Sequence, residues 1–164
     1  MITQERLREV LHYDPQSGRW MWILPQTNRV QTGSVAGTIN AKGYRYIHIA
    51  GRLYKSSRLA FFYMTGRWPE RQMDHINRRR DDDAWNNLRE ATRSQNQSNQ
   101  GIRKNNKSGF KGVSLHRQTG KYAARINDGL GKYRHLGLFF SPSDAHAAYV
   151  DAAVRLKGDF ANGG

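Results

Sequence analysis

The apolar positions along the chain change period several times, and each change marks an element. Leu7, Val10 and Leu11 share one helical face behind Thr3, whose hydroxyl can accept from the open N–H groups of a helix start, so the spacing predicts a short helix over Thr3–Leu11. Asp14-Pro15-Gln16-Ser17-Gly18 supplies turn residues, and Arg19–Leu24, with Trp20 and Trp22 two apart, reads as a strand. Gly43–Ala50 alternates Tyr44, Tyr46 and His48 against Arg45, Ile47 and Ile49, and Gly51-Arg52 then turns the chain into Leu53-Tyr54-Lys55. Arg58–Thr65 is apolar and aromatic, a short buried helix stopped by Gly66 and Pro69.

Between Gln95 and Ser108 the pattern lapses: Ile102 is the one apolar residue in a run of Asn, Gln, Ser and Lys, which marks a domain boundary. Beyond it Gly109–Arg117, Lys121–Asn127 and Lys132–Phe140 read as three antiparallel strands, joined by Gln118-Thr119-Gly120 and Asp128-Gly129-Leu130-Gly131. Ser141 then caps a helix with Pro142 at its first position and Asp144 placed for a capping box. Ala145, Ala148, Tyr149, Ala152, Ala153 and Leu156 follow helical spacing, and Gly158 suits the position after its end. The predicted fold class is α+β: a helix followed by strands, then a three-stranded antiparallel sheet packed on one C-terminal helix.

Composition narrows the function. The 164 residues allow one large domain or two small ones, and with 37% hydrophobic residues they can bury a modest core. Lys and Arg outnumber Asp and Glu 27 to 13, a formal charge of +14, which makes nucleic acid the leading partner and an acidic membrane surface the second. Residues before 100 carry 16 basic and 9 acidic side chains, and those from 100 onward 11 and 4. Each part is therefore equally basic, and each could contact phosphate independently. No apolar run can span a bilayer and Met1–Tyr13 lacks a signal-peptide pattern, which excludes an integral membrane protein and argues against secretion. The absence of cysteine removes disulfides, thiol catalysis and thiolate zinc sites. Charge alone would also suit an RNA-binding accessory protein.

The chemistry concentrates in Met73-Asp74-His75-Ile76-Asn77, Asn87-Leu88-Arg89 and Asn96. Taken alone, an Asp-His pair is a turn cap beside an ordinary histidine. The order DHIN, NNLREAT and QNQSN, with the lead-in GYRYIHIAGRLYKSSRLAFFYMTGRWP and the opening LREVLHYDPQSGRWMW, resembles the HNH endonucleases of phages and mobile introns over nearly all of residues 1–100. That resemblance implies a ββα-metal nuclease. Asp74 and Asn96 would be oxygen ligands of a divalent cation, Mg²⁺ or another such as Mn²⁺; His75 would be general base on the attacking water; Asn87 would fix the loop and orient His75. It also implies a phage protein acting in the host cytoplasm, and one active site per chain favours nicking. Ser57 stands where many relatives have histidine. Asp81-Asp82-Asp83 read as a solvated turn tied to Arg78–Arg80 and are given no catalytic role.

Residues 108–161, through FKGV, GKYAARI, HLGLF and AAYVDAA, resemble the Apetala-type, ethylene-response-factor DNA-binding domain. That family lays its sheet in the major groove of duplex DNA, so the resemblance implies that Lys111, Ser114, His116, Arg117, Lys121, Arg125, Tyr133 and His135 contact DNA or lie near it. The expected organisation is a nuclease domain at 1–99, a polar linker at 100–107 and a DNA-binding domain at 108–164, with no membrane or protein partner evident. The rival is a non-catalytic DNA-binding regulator that keeps the HNH scaffold. His48, His146 and His12 are expected to be structural, on a strand face, a helix face and a helix end.

Overall fold

The structure is a computed structural model that describes residues 2–25, 27, 30–129 and 131–164, and the chain divides into two compact units, Met1–Ala91 and Thr92–Gly164. Leu130, in the expected turn Asp128-Gly129-Leu130-Gly131, lies outside the described residues. Among the described residues no helix is long and apolar enough to cross a membrane.

In the first unit, helix α1 (Gln4–Val10) starts where Thr3 Oγ1 accepts from Arg6 N. It ends before Leu11, which opens β1 (Leu11–Asp14) rather than extending the helix. The reason lies in the next residues: Leu11 and Tyr13 are buried and His12 is exposed, a period of two. Pairing with β2 (Arg19–Trp22) sets Leu11 opposite Trp22 and Tyr13 opposite Trp20, which buries all four. His12 is thus on a strand, not a helix end.

A short β3 (Thr38–Ile39), not expected from sequence, precedes β4 (Arg45–Ile49) and β5 (Arg52–Lys55), which form one antiparallel sheet in the order β3-β4-β5. Ala50 and Gly51, with φ of 48° and 76°, make the tight turn between β4 and β5, so Arg52 begins the strand instead of sharing the turn. Helix α2 (Ser56–Thr65) follows directly and buries Leu59, Ala60, Phe61 and Phe62. Gly66 in the left-handed conformation closes it, and Trp68 then stacks on both Phe62 and Tyr54, at ring distances of 4.4 and 5.6 Å. The last hairpin of the unit pairs β6 (Gln72–His75) with β7 (Leu88–Ala91). Met73 and Leu88 join this hairpin to the core of Leu7, Trp20, Ile47 and Leu59.

The second unit opens with α3 (Arg93–Asn99), started by a reciprocal capping box between Thr92 and Gln95. The polar stretch expected as a boundary from Gln95 is therefore helical up to Asn99. Strands β8 (Val113–His116), β9 (Lys121–Asn127) and β10 (Tyr133–Phe139) form an antiparallel sheet in the order β10-β9-β8, with a register shift between His135 and Gly137. Helix α4 (Pro142–Lys157), capped by Ser141, covers one face of it. Ala145, Ala152 and Ala153 let the helix lie close, against Val113, Ala124 and Ile126. Gly112 is where the fit is tightest: at φ +74° a Cβ there would stand 2.0 Å from the Tyr149 ring.

Candidate active site

The β6/β7 hairpin carries Asp74 and His75 on consecutive positions, and both are buried, at 4% and 5% exposure. Successive side chains of a strand point to opposite faces, so the two groups are presented to different surroundings. Asp74 lies opposite Arg89 across the hairpin, and Arg89 Nε donates to its Oδ2 at 2.9 Å. His75 meets Asp83, with its Nε2 2.9 Å from Asp83 Oδ1.

The Asp83 contact overturns the reading of the three aspartates as a solvated turn. Asp81 is exposed and Asp82 accepts from Asn77 Nδ2, but Asp83 is 1% exposed and its Oδ2 has no hydrogen-bond partner among the described residues. A buried carboxylate at a ring nitrogen holds that nitrogen as the protonated one, which puts the imidazole lone pair on Nδ1. The tie to Arg78–Arg80 is a backbone one, with Asp82 N donating to Arg79 O; among the described residues these arginines form no ion pair with the run, and Arg80 Nη1 donates to Lys42 O.

The loop from Ile76 to Asn87 is held at several points. Asn87 Oδ1 accepts from Asn77 N at 2.9 Å and its Nδ2 donates to Asp82 O at 2.7 Å, so its amide ties the end of the loop to its start and its middle. Arg78 N donates to His75 O, and Arg78 itself adopts a φ of 66°, which the closed loop imposes on a non-glycine residue. The N-terminal hairpin braces this loop from behind. Tyr13 Oη donates to Asp83 O at 2.6 Å, Trp85 N donates to Pro15 O, and Gly18 at φ +69° lies so close that a Cβ would fall 2.3 Å from the Asp83–Ala84 peptide. Burial, with Asp83, Asp14 and Asp82 adding to it, pushes the Tyr13 phenol well above its ordinary range, so it stays a donor.

Glu90, beside Arg89 on β7, ties down the segment that leads into β6. It accepts from Arg67 Nη2 and from the backbone N–H groups of Glu70 and Arg71, and the Arg67 bond holds its carboxyl below the usual range. Near His75 stands Tyr44, with ring centres 6.1 Å apart. Burial pulls the Lys55 ammonium below the ordinary lysine value; Asp83 opposes the shift, and Arg80 and Arg58 add to it.

Asn96 stands on α3, in the second unit, where its N–H donates to Thr92 O within the first turn. Among the described residues no three His, Cys, Asp or Glu side chains converge as a metal site. Asp74 in the first unit carries a carboxylate and Asn96 in the second an amide oxygen, each a hard donor of the kind a Mg²⁺-like cation takes, and Arg89 Nε donates to one Asp74 oxygen.

The second unit brings most of the expected DNA-contacting residues to one surface. Cross-strand rows set Ser114 by Ala123, His116 by Lys121, Arg125 by His135 and Asn127 by Tyr133. Their neighbours along the strands, Ala124 and Ile126, are buried under α4, so Ser114, His116, Lys121, Arg125, Tyr133 and His135 share the opposite face. Exposed Phe140 belongs beside them, under the Lys121 ammonium at 4.3 Å. Arg117 is exposed in the turn after β8. Lys111 is outside the sheet, and its ammonium donates to the carbonyls of Ser98 and Gln100. His146 packs on Phe110 and Tyr149, and His48 is exposed on β4.

Asp83, Tyr13 and Gly18 are the site residues that sequence reasoning missed. One signal was available for Asp83: it is the aspartate of the run that adjoins Ala84-Trp85, where the chain turns back toward apolar surroundings.

Residues 54–98, which hold the buried Asp-His hairpin and its asparagine-clamped loop, match the family model of the HNH endonucleases. Nucleases of this family act on nucleic acid, and they generally use a divalent metal ion. Neither the curated proteins nor the solved structures include a match to the chain.

Proposed function

We propose that the chain is a metal-dependent DNA endonuclease that hydrolyses phosphodiester bonds of duplex DNA, one strand per binding event. The observation that carries the proposal is the His75–Asp83 pair, an imidazole held by a buried carboxylate at Nε2 in the segment that matches the HNH family. A phosphodiester resists hydrolysis because its charge repels nucleophiles and its alkoxide leaves poorly. His75 answers the first difficulty: its Nδ1 takes a proton from the attacking water, and Asp83 stabilises the imidazolium that results. Asn87 keeps the loop closed around this pair through its two backbone bonds.

Asp74 and Asn96 are the proposed oxygen ligands of a divalent cation, Mg²⁺ or Mn²⁺, their roles following from their motif positions. Such an ion, when bound, neutralises charge at the leaving oxygen. The proposed organisation assigns catalysis to residues 1–99, a polar linker to 100–107 and duplex binding to 108–164. In the last of these the sheet face of Ser114, His116, Lys121, Arg125, Tyr133 and His135 would meet the major groove, with Lys111 and Arg117 at its margins. The phage or homing character, a bacterial cytoplasmic setting and the ethylene-response-factor likeness rest on sequence resemblance.

A plasmid-nicking assay with and without Mg²⁺ tests the proposal. We expect metal-dependent nicking by the parent chain, and its loss in His75→Ala with DNA affinity within a few-fold of the parent. Equal cleavage by mutant and parent would remove His75 from the mechanism. A chain that binds DNA and never cuts it would favour the regulator.

A further inference from the structure

Tyr44 lies beside His75, and two cations stand over its ring. The Lys55 ammonium is 3.5 Å from the ring centre and the Arg80 guanidinium carbon 5.1 Å. Both are held in position. Lys55 ends β5 and occupies the cap position of α2, which fixes its backbone, and half-burial restricts its stem. Arg80 belongs to the loop that Asn87 closes, and its Nη1 donates to Lys42 O at 2.9 Å.

Neither cation has a carboxylate bonded to it among the described residues. Among the described residues the Lys55 ammonium donates no side-chain hydrogen bond, and the Tyr44 ring is the group it stands over. The acid in its surroundings, Asp83, already accepts from His75. An aromatic face stabilises an ammonium by attraction to the ring quadrupole, yet it supplies no lone pair to a donor. Two like charges over one ring also repel, and Arg58 adds a third positive group near Lys55. An anion within reach of both Lys55 and Arg80 would give the Lys55 ammonium an acceptor and offset the repulsion that Arg80 exerts on it.

We propose that Lys55, Arg80 and Tyr44 form a binding site for a backbone phosphate of the DNA strand that lies against His75. The proposal rests on the nuclease reading for the identity of the anion, and it assigns these residues to phosphate binding and not to the chemical step. The Tyr44 ring spaces the cations beside the base, so the strand is registered with a phosphodiester near His75 before metal-dependent chemistry begins. Contacts of this kind position a strand without reading its sequence, which suits a chain whose candidate base-reading surface is the sheet face in its other unit.

The test is equilibrium binding of a fluorescent duplex to the full chain without divalent metal, followed by anisotropy over a series of salt concentrations. Removing one phosphate-binding cation should make the plot of log affinity against log salt shallower by about one unit. We expect this for Lys55→Gln and for Arg80→Gln, with weakening that is uniform across duplex sequences. Lys55→Arg should keep the parental slope. Arg80 is exposed, so Arg80→Gln reports even if the half-buried Lys55→Gln fails to fold. Arg6→Gln, which removes an exposed charge paired to Glu9 on α1, is the control and should leave the slope unchanged. Parental slopes in folded Arg80→Gln and Lys55→Gln would overturn the site, as would an equal effect from Arg6→Gln, since that would be general charge. Failure of the nuclease reading is separately visible: a parent chain that binds DNA but never nicks it under Mg²⁺ overturns that reading, while the slopes still decide the phosphate site.

Discussion

Replacing Asp83 tests whether the buried pair serves catalysis or only the fold. Among the described residues the Asp83 side chain makes one hydrogen bond, at 2.9 Å to His75 Nε2, and its second oxygen has no partner. The backbone carbonyl of the same residue is held separately by Tyr13 Oη, so Asp83→Ala removes the carboxylate and leaves the loop's brace in place. A hydrogen bond to a charged group contributes about 1.5–3 kcal/mol. If the bond acts fully on the imidazolium formed as water is deprotonated, about 1.36 kcal/mol per factor of ten gives a loss of about 10- to 150-fold in the single-turnover rate. DNA affinity should stay within about two-fold, because Asp83 bonds the far nitrogen of the ring and not the substrate. Folding should suffer less than catalysis, since a buried carboxylate with an unsatisfied oxygen is itself costly. Asp83→Asn, whose amide oxygen can still accept from Nε2–H, should recover part of the rate. The assay is nicking of a labelled duplex at saturating protein, with ¹⁵N shifts of the His75 ring to read its tautomer. Parental rates in folded Asp83→Ala would refute the reasoning, as would a loss confined to affinity.

Asp74→Ala and Asn96→Ala should each lower metal affinity and cleavage rate together, read by Mn²⁺ titration calorimetry and by the Mg²⁺ dependence of nicking; full rescue at ordinary Mg²⁺ would remove that residue as a ligand. Gly18→Ala drives a Cβ into the Asp83–Ala84 peptide at a positive φ, so it should lower stability by at least about 1–3 kcal/mol and slow cleavage, measured by denaturant unfolding and nicking. Glu90 has its carboxyl pKa lowered by Arg67, so its stabilisation is present above the ordinary carboxylate range and is lost as pH falls through the lowered value. Glu90→Gln should therefore reduce stability at neutral pH and flatten the acid limb of a melting-temperature profile. Arg125→Ala with His135→Ala, which removes one cross-strand pair of the exposed sheet face, should relax the choice of cleavage sites mapped on a long DNA while leaving the rate at saturating DNA unchanged.

Local patterns in the sequence determined much of this protein. The cap at Thr3, the alternation through β4, strand β9 to its ends, and Ser141-Pro142 opening α4 are all decided by residues within a few positions of one another, where period and capping chemistry act directly. The consecutive Asp74 and His75 are likewise legible, because neighbouring strand positions face opposite ways; Ser114, Lys121, Arg125 and His135 were named through the family resemblance, and it is strand pairing that brings them to one surface. Leu11 reads as helical in sequence because its strand character comes from pairing with Trp22, farther along the chain. Asp83 escapes sequence reasoning on similar grounds: an aspartate run looks solvated until a loop closed by Asn87, and a hairpin 70 residues away in sequence bonded through Tyr13, bury its last member against His75. The charges of Lys55 and Arg80 are plain in the sequence, but their meeting over Tyr44 depends on three separate segments converging. Local propensity chooses elements, whereas burial and the partner of a polar group are properties of the assembled core, and for this chain that is where the candidate chemistry was decided.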